Sequence, residues 1–169
     1  MIIKMADYTH IQRTFGPVYD ENSRILILGS FPSVKSRQAK FYYGHPQNRF
    51  WLLLGKLLDC DIPQSIEGKK ELLLKNRIAL WDTLESCDII GSSDSSIKNA
   101  LPVDIMRILS AADIKKIFCN GGTSHALFVK YLTPVCGITP VKLPSTSPAN
   151  ASWNMERLYT EWTRIKEFL

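Results

Sequence analysis

Side chains suited to chemistry gather in two stretches of this chain. The first runs ILILGSFPSVKSRQAKFYYGHPQNRFW, from Ile25 to Trp51. An apolar run breaks at Gly29-Ser30 and gives way to a loop carrying Ser30, Phe31, Ser33, Tyr42, Tyr43, His45 and Asn48. Lys35, Arg37, Lys40 and Arg49 are interleaved with them. The second stretch is LPSTSPAN, with Ser145, Ser147, Pro148, Ala149 and Asn150. Ser and Thr hydroxyls beside free backbone N–H groups suit phosphate oxygens, and small residues let a sugar–phosphate backbone come close. Proline sets such a loop's shape in advance, so less entropy is lost on binding. The competing use of these residues is local, as turns in which Ser caps a following helix.

Two further polar residues, Asp82 and Asn120, each end a short apolar run, IALW and IFC. Other familiar sites are missing from the sequence. There is no Walker A pattern, no G-x-G-x-x-G after a strand, no G-x-S-x-G elbow and no metal-ligating His pair. Cysteines stand at 60, 87, 119 and 136 without C-x-x-C spacing, which fits reduced thiols in a cytoplasmic protein.

The elements that must carry these residues follow from apolar spacing. Ile25-Leu26-Ile27-Leu28 is too short for a buried helix and fits a strand covered on both faces. Phe50, Trp51, Leu54, Leu57 and Leu58 form one stripe of a helix over about 48–59. A short helix is expected over 69–75, a strand over 78–81, and a helix that Pro102 opens and that runs to about 112. A strand at 117–119, a helix over 124–132, a strand at 141–143 and a long closing helix from Met155 complete the pattern. Residues 1–23 read as an irregular lead-in to one domain spanning 1–169. Alternating strands and helices favour a three-layer α/β/α sandwich around a mostly parallel four-stranded sheet. The distinctive loops GSFPS, WDT, CNGG and LPSTSPAN then all fall at the carboxyl edge of that sheet, where such folds bind ligands.

Composition narrows the partner. With 45% hydrophobic and 22% charged residues in 169, the chain is globular rather than disordered. No apolar run reaches membrane-spanning length, and no secretory signal is expected. The net charge of +5 is concentrated. Residues 22–58 hold six Lys or Arg and no acid, and residues 114–155 hold four Lys and no acid. If both windows share a face, that face attracts a polyanion.

On these residues the chain resembles the uracil-DNA glycosylase superfamily, and within it the hypoxanthine-DNA (deoxyinosine) glycosylase family. The carriers are GSFPS, then YYGHPQNRFW, then the Ser-Pro-Ala-Asn loop, in that order over about 25–162. The resemblance implies a parallel four-stranded sheet between helical layers. It also implies hydrolysis of the N-glycosidic bond of a deaminated base in DNA, without metal or cofactor; a monomer is expected. One departure is informative. Mismatch-specific uracil glycosylases carry Asn in a G-I-N-P pattern, where this chain has Gly29-Ser30-Phe31-Pro32. The resemblance therefore moves the catalytic role to Asn48. A carboxamide is no base, but its carbonyl oxygen can hold a water and aim it at C1′ as the sugar becomes oxocarbenium-like. Asn48 can equally cap the helix that follows it.

For a chain of that kind, Phe31, Tyr43, Asp82 and Asn120 are the expected base-binding residues, the last two because they close strands at the loop-bearing edge. Phe31, Tyr42 and Tyr43 are candidates to replace lost stacking. Asn120 can read a carbonyl beside a ring N–H, and Asp82 can accept from that N–H or help orient the water. Ser30, Ser33, His45, Ser145, Ser147, Pro148, Ala149 and Asn150 are expected to meet DNA, with Ala149 and Asn150 filling the space of a flipped nucleotide. Arg37, Lys40 and Arg49 are phosphate-contact candidates, and Ser92–Ser96 reads as a polar loop, either plain surface or a further contact to the DNA backbone. Neither GSFPS nor PSTSPAN contains Lys, so no amine nucleophile for a lyase step is in place. Readings outside this one are a mismatch uracil glycosylase, a non-catalytic nucleic-acid-binding module and a small-molecule hydrolase.

Overall fold

An apolar run with no polar alternation has to be covered on both faces, and Ile25–Leu28 has no exposed surface at all. The computed structural model describes residues 7–169; the first six residues of the expected lead-in lie outside them. The strands are β1 (Thr9–Gln12), β2 (Ile25–Gly29), β3 (Ile78–Asp82), β4 (Leu84–Ile89), β5 (Lys98–Pro102), β6 (Lys116–Asn120) and β7 (Val141–Leu143). The helices are α1 (Val34–Ala39), α2 (Phe50–Leu58), α3 (Ile66–Lys75), α4 (Met106–Leu109), α5 (Gly122–Tyr131), α6 (Thr133–Cys136) and α7 (Met155–Trp162).

The main sheet has four strands in the order β3-β2-β6-β7, all parallel. The order reverses direction after β3, so right-handed crossovers put helices on opposite faces. On one face α2 packs against α7, with Phe50 and Trp162 ring centroids 6.1 Å apart. On the other face α5 packs along β6 and β7. The expected α/β architecture with its four-stranded parallel sheet is therefore present. At the carboxyl edge, Gly29 pairs in register with Asp82, and Asn120 with Leu143. The loop starts singled out above thus share one edge.

Three expectations are corrected. Residues 9–12 are not irregular: they form β1, which pairs antiparallel with β4 in a second sheet of order β1-β4-β5. The second sheet escapes detection because THIQ offers one large apolar residue and register shifts interrupt the period-two pattern of β4. Pro102 does not open a helix but ends β5, so the helix after it shrinks to α4. The basic segment after Gly29 is not all loop, since Val34–Ala39 is helical with Ser33 as its N-cap.

Chain direction explains why the second sheet matters. β3 and β4 form one extended run through Thr83, whose N–H and hydroxyl both donate to the Gly29 carbonyl, at 2.8 and 2.9 Å. The run leaves the parallel sheet at Asp82 and enters the antiparallel one at Leu84. Phe31, Leu84, Cys87 and Ile89 form a small core beneath that second sheet, separate from the main one. Burial raises the Cys87 thiol to about 11 and the Cys119 thiol to about 12, so both are unreactive at neutral pH. No helix among the described residues is long and apolar enough to cross a membrane.

Leu28 sits in the central strand with no exposure. Leu28→Ala is expected to cost about 2–5 kcal/mol. In denaturant titration the midpoint should fall with an unchanged slope.

Candidate active site

The carboxyl edge of the parallel sheet opens into a cleft of about 530 Å³. Its floor is the end of three strands: Gly29 from β2, Asp82 from β3 and Asn120 from β6. One wall comes from the loop between α1 and α2, with Tyr43, His45 and Asn48. The opposite wall is the loop after β7, with Ser145 to Ala149. Ser30, Phe31 and Ser33 also border it. Asn150 alone of the residues expected at the site stands behind the lining, where its side-chain amide donates to the Ser145 carbonyl at 3.0 Å.

Hydrogen bonding fixes the direction of a chain of three side chains across the cleft. The Phe50 N–H meets Asn48 at 3.0 Å and requires an acceptor, so that atom is Oδ1. The Thr146 hydroxyl, 2.9 Å from the same oxygen, must then donate to it. The Thr146 N–H likewise requires Oδ1 of Asn120, at 3.0 Å, which turns Asn120 Nδ2 toward the Thr146 hydroxyl oxygen at 3.0 Å. The sequence of donors is therefore Asn120 to Thr146 to Asn48. Thr146 has no exposed surface and links the base-reading and water-holding candidates directly. Asn48 does act at the start of α2, accepting from Phe50 N–H two residues on, and it faces the cleft as well.

The loop after β7 is preorganised. Ser145 and Ser147 accept from the N–H groups of Ser147 and Ala149, at 3.1 and 3.2 Å. Arg49 then clamps the loop from α2. Its guanidinium donates to the carbonyls of Thr146 (3.3 Å), Ser147 (2.8 Å) and Asn150 (3.2 Å), and to Trp153. Arg49 is thus spent inside the protein, not free for phosphate. Arg37 is committed too, to the carbonyls of Pro32 (2.8 Å) and Gly91 (3.2 Å), whereas Lys40 stays exposed. Ser33 uses its hydroxyl to accept from Ser36 N–H. His45 Nδ1 accepts from Gln47 N–H at 3.1 Å, which leaves Nε2 as a donor.

Aromatic residues divide by packing. Tyr42 is buried, its hydroxyl donating to the Gly16 carbonyl at 2.7 Å, and Phe31 packs with Leu84, Cys87 and Ile89 beside the cleft. Tyr43 is different. It stacks on Phe50 with centroids 4.1 Å apart, and its backbone is left-handed at φ 55. A tyrosine held there stores about 1–3 kcal/mol of strain, which surrounding structure must offset. Its hydroxyl has no hydrogen-bond partner among the described residues and lies deep in the site, and burial pushes that hydroxyl far above the usual phenol range.

Sequence reading missed three contributors. Thr146 lies in the quoted loop without a distinguishing signal of its own. Arg13 reaches Asp82 from the end of β1, a strand the sequence did not reveal. Asp94, in the tip between β4 and β5, accepts from the Ser30 hydroxyl at 2.9 Å. Ser92, Ser93 and Ser95 join it at the rim, so residues 92–95 line the cleft.

The chain is similar to known proteins of one superfamily. A family model described as the uracil DNA glycosylase superfamily matches residues 17–168. A hypoxanthine DNA glycosylase of Methanosarcina acetivorans is 35% identical over 156 residues, 92% of this chain and 98% of the relative. One of Methanosarcina barkeri is 41% identical over 114 residues, covering 65% and 71%. The solution NMR structure of a candidate uracil DNA glycosylase from Methanosarcina acetivorans superposes with a TM-score of 0.78 at 33% identity, over 93% of this chain and 96% of that one.

The floor makes its own prediction. A Cβ added at Gly29 would lie 2.4 Å from Asp82 Oδ1, in a side chain that Arg13 holds in place. Gly29→Ala should cost about 1–3 kcal/mol. Differential scanning calorimetry should record that as a fall in Tm of several degrees, whereas an unchanged Tm would mean that Asp82 moves freely.

Proposed function

Because this chain belongs to the uracil DNA glycosylase superfamily, we propose that it hydrolyses the N-glycosidic bond of a deaminated base in DNA, with hypoxanthine from deoxyinosine as the preferred base. The two Methanosarcina relatives named above support the choice of hypoxanthine. The observation that carries the reading is the juxtaposition, in one cleft, of Asp82 and Asn120 with Asn48 through the Thr146 hydroxyl.

In this reading the base leaves the helix stack, which costs a few kcal/mol, and enters the cleft. Tyr43 offers a face for it, backed by Phe50, and base–aromatic stacking returns about 1–3 kcal/mol. Phe31 closes the side of the pocket. Asp82 accepts from the ring N–H, and the free Nδ2 hydrogen of Asn120 serves the neighbouring carbonyl. Asn48 holds the attacking water. Its Oδ1 accepts from Phe50 N–H and Thr146 O–H, so the amide is held in one orientation and its remaining group, Nδ2, is left to hold the water.

The water oxygen then bonds to C1′ while the C1′–N9 bond breaks, and the base departs with the bonding pair. The base takes a proton from solvent, and the proton lost by the water returns to solvent. Positioning and the electrostatics of the leaving base supply the rate, since no strong base is needed against an oxocarbenium-like centre. Ser30, Ser33, His45, Ser145, Ser147 and Pro148 border the path of the strand. Ala149, exposed at the tip of its loop and braced by Asn150, fills the space vacated by the nucleotide. So small a wedge pushes weakly, which favours bases already poorly paired, such as inosine in a mismatch. The protein works in this scheme as a monomer in DNA base excision repair, in the cytoplasm or on the nucleoid.

The test is a panel of labelled oligonucleotides carrying inosine, uracil, xanthine or ethenocytosine, each followed by alkali cleavage. Inosine should be cleaved fastest, and a faster uracil strand would favour the mismatch uracil glycosylase instead. Asn48→Ala should abolish abasic-site formation while DNA affinity stays within about tenfold, a change of no more than about 1.4 kcal/mol. Unchanged turnover in that variant would remove Asn48 from catalysis.

A further inference from the structure

Arg13 directly follows β1, and its guanidinium is almost completely enclosed. It donates to the carbonyls of Phe15 (3.0 Å) and Leu84 (3.2 Å), to the Tyr42 hydroxyl (3.1 Å) and to Asp82 Oδ2 (3.3 Å). The side chains of Arg13 and Asp82 are only 3% and 6% exposed. A buried ion pair is poor support for stability, because desolvation consumes most of what the attraction returns. Only the Asp82 end of this one lines the cleft floor, Arg13 lying behind it, and the arrangement is lopsided. Oδ2 of Asp82 is taken by Arg13, whereas Oδ1, on the Gly29 side, accepts no hydrogen bond from the described residues.

We propose that Arg13 is a positioning residue for base discrimination: it keeps Asp82 ionised and turned, so that the free carboxylate oxygen reads the ring N–H that deamination creates. The inference rests on the hypoxanthine reading above and names how that site tells damaged from undamaged bases. Adenine presents a lone pair at N1, and its deamination product presents N1–H. Cytosine and uracil differ in the same way at N3. An ionised carboxylate only accepts. It bonds the N–H of the deaminated base and repels the lone pair of the parent. A neutral carboxyl could donate to that lone pair, and the distinction would vanish. Guanine also carries N1–H and must be refused at its 2-amino group instead.

The surroundings give Arg13 this task. Tyr42 and Tyr43 face Asp82 from the loop after α1, and burial keeps both hydroxyls protonated. Asp94 faces it from the tip between β4 and β5 and adds like charge. Arg13 is the opposing cation among these groups. Burial pushes the Asp82 carboxyl above the usual carboxylate range, and Arg13 pulls it back down. A carboxylate so raised loses its charge as pH falls. Without Arg13 that loss must begin at higher pH.

The experiment is the pH profile of kcat/KM on an inosine oligonucleotide for the wild type, Arg13→Met, Arg13→Lys and Asp82→Asn, all in the full chain. The acid limb should move upward by about 1–3 pH units in Arg13→Met, the range an opposite charge at this distance controls. Activity should recover at alkaline pH, and Arg13→Lys, which restores the charge, should return the limb toward its wild-type position. Asp82→Asn cannot ionise and should lose the limb with a uniformly lower kcat/KM, a reading available even if Arg13→Met fails to fold. A uniform drop in Arg13→Met with an unshifted limb, or a limb that persists in Asp82→Asn, overturns the proposal. A wild type that leaves inosine strands intact at every pH sinks the hypoxanthine reading itself, whereas an active wild type with unshifted variants sinks only the role of Arg13.

Discussion

The site hangs on the Thr146 hydroxyl, a single donor–acceptor placed where two loops meet. Thr146 accepts from Asn120 and donates to Asn48, and its backbone N–H returns to Asn120. Backbone N–H groups at both ends fix which way each amide points, so the chain has one polarity and no equivalent alternative. Buried networks of this kind are favourable only when every member is satisfied. The rest of the edge serves that requirement. Arg49 clamps the carbonyls of the loop, and Trp162 Nε1 donates to the Pro144 carbonyl from α7 at 2.9 Å. The parallel sheet sets Asn120 and Leu143 side by side, so that the loop after β7 starts beside the β6 residue it must meet.

Charge is deployed with the same economy. The sequence shows two basic windows, and a simple reading would give every cation there to DNA. Instead Arg37 and Arg49 each donate to backbone carbonyls and hold the walls of the cleft in place. Arg13, from outside both windows, serves the floor. A planar guanidinium with several donors suits this work, since it can join carbonyls from separate segments that a lysine ammonium would satisfy less well. The positive charge of this face therefore acts first as internal scaffolding. What remains outward, such as Lys40, is a smaller grip than the windows imply.

How much was legible follows from what each element announces. β2 and β3 are unbroken apolar runs, and buried parallel strands have to look that way, so their loops could be placed on one edge from sequence. The stripe of α2 was equally plain. β1 and β5 announce nothing: THIQ and KNALP are short, mostly exposed and without an alternating apolar face, and they are strands because β4 lies between them. With the second sheet hidden, Arg13 could not be connected to Asp82 across 69 residues. Asn48 was legible as both a helix-starting residue and a cleft residue, and the structure gives it both places. Asn120 and Asp82 stood out because a polar residue closing an apolar strand has to lie at the sheet edge. Thr146 did not, because in a run of Ser and Thr nothing but geometry tells the buried hydroxyl from its neighbours.

The central claim is that one cleft holds the flipped base between Asp82, Asn120 and Tyr43 while Asn48 faces its sugar carbon. A crystal structure of the protein with DNA bearing a non-cleavable deoxyinosine analogue tests it most directly. The account predicts hypoxanthine lying on Tyr43, its N1–H on Asp82 Oδ1 and a water between Asn48 and C1′. A base left stacked in the duplex, or extruded to a place from which Asn48 cannot reach C1′ through one water, would contradict it.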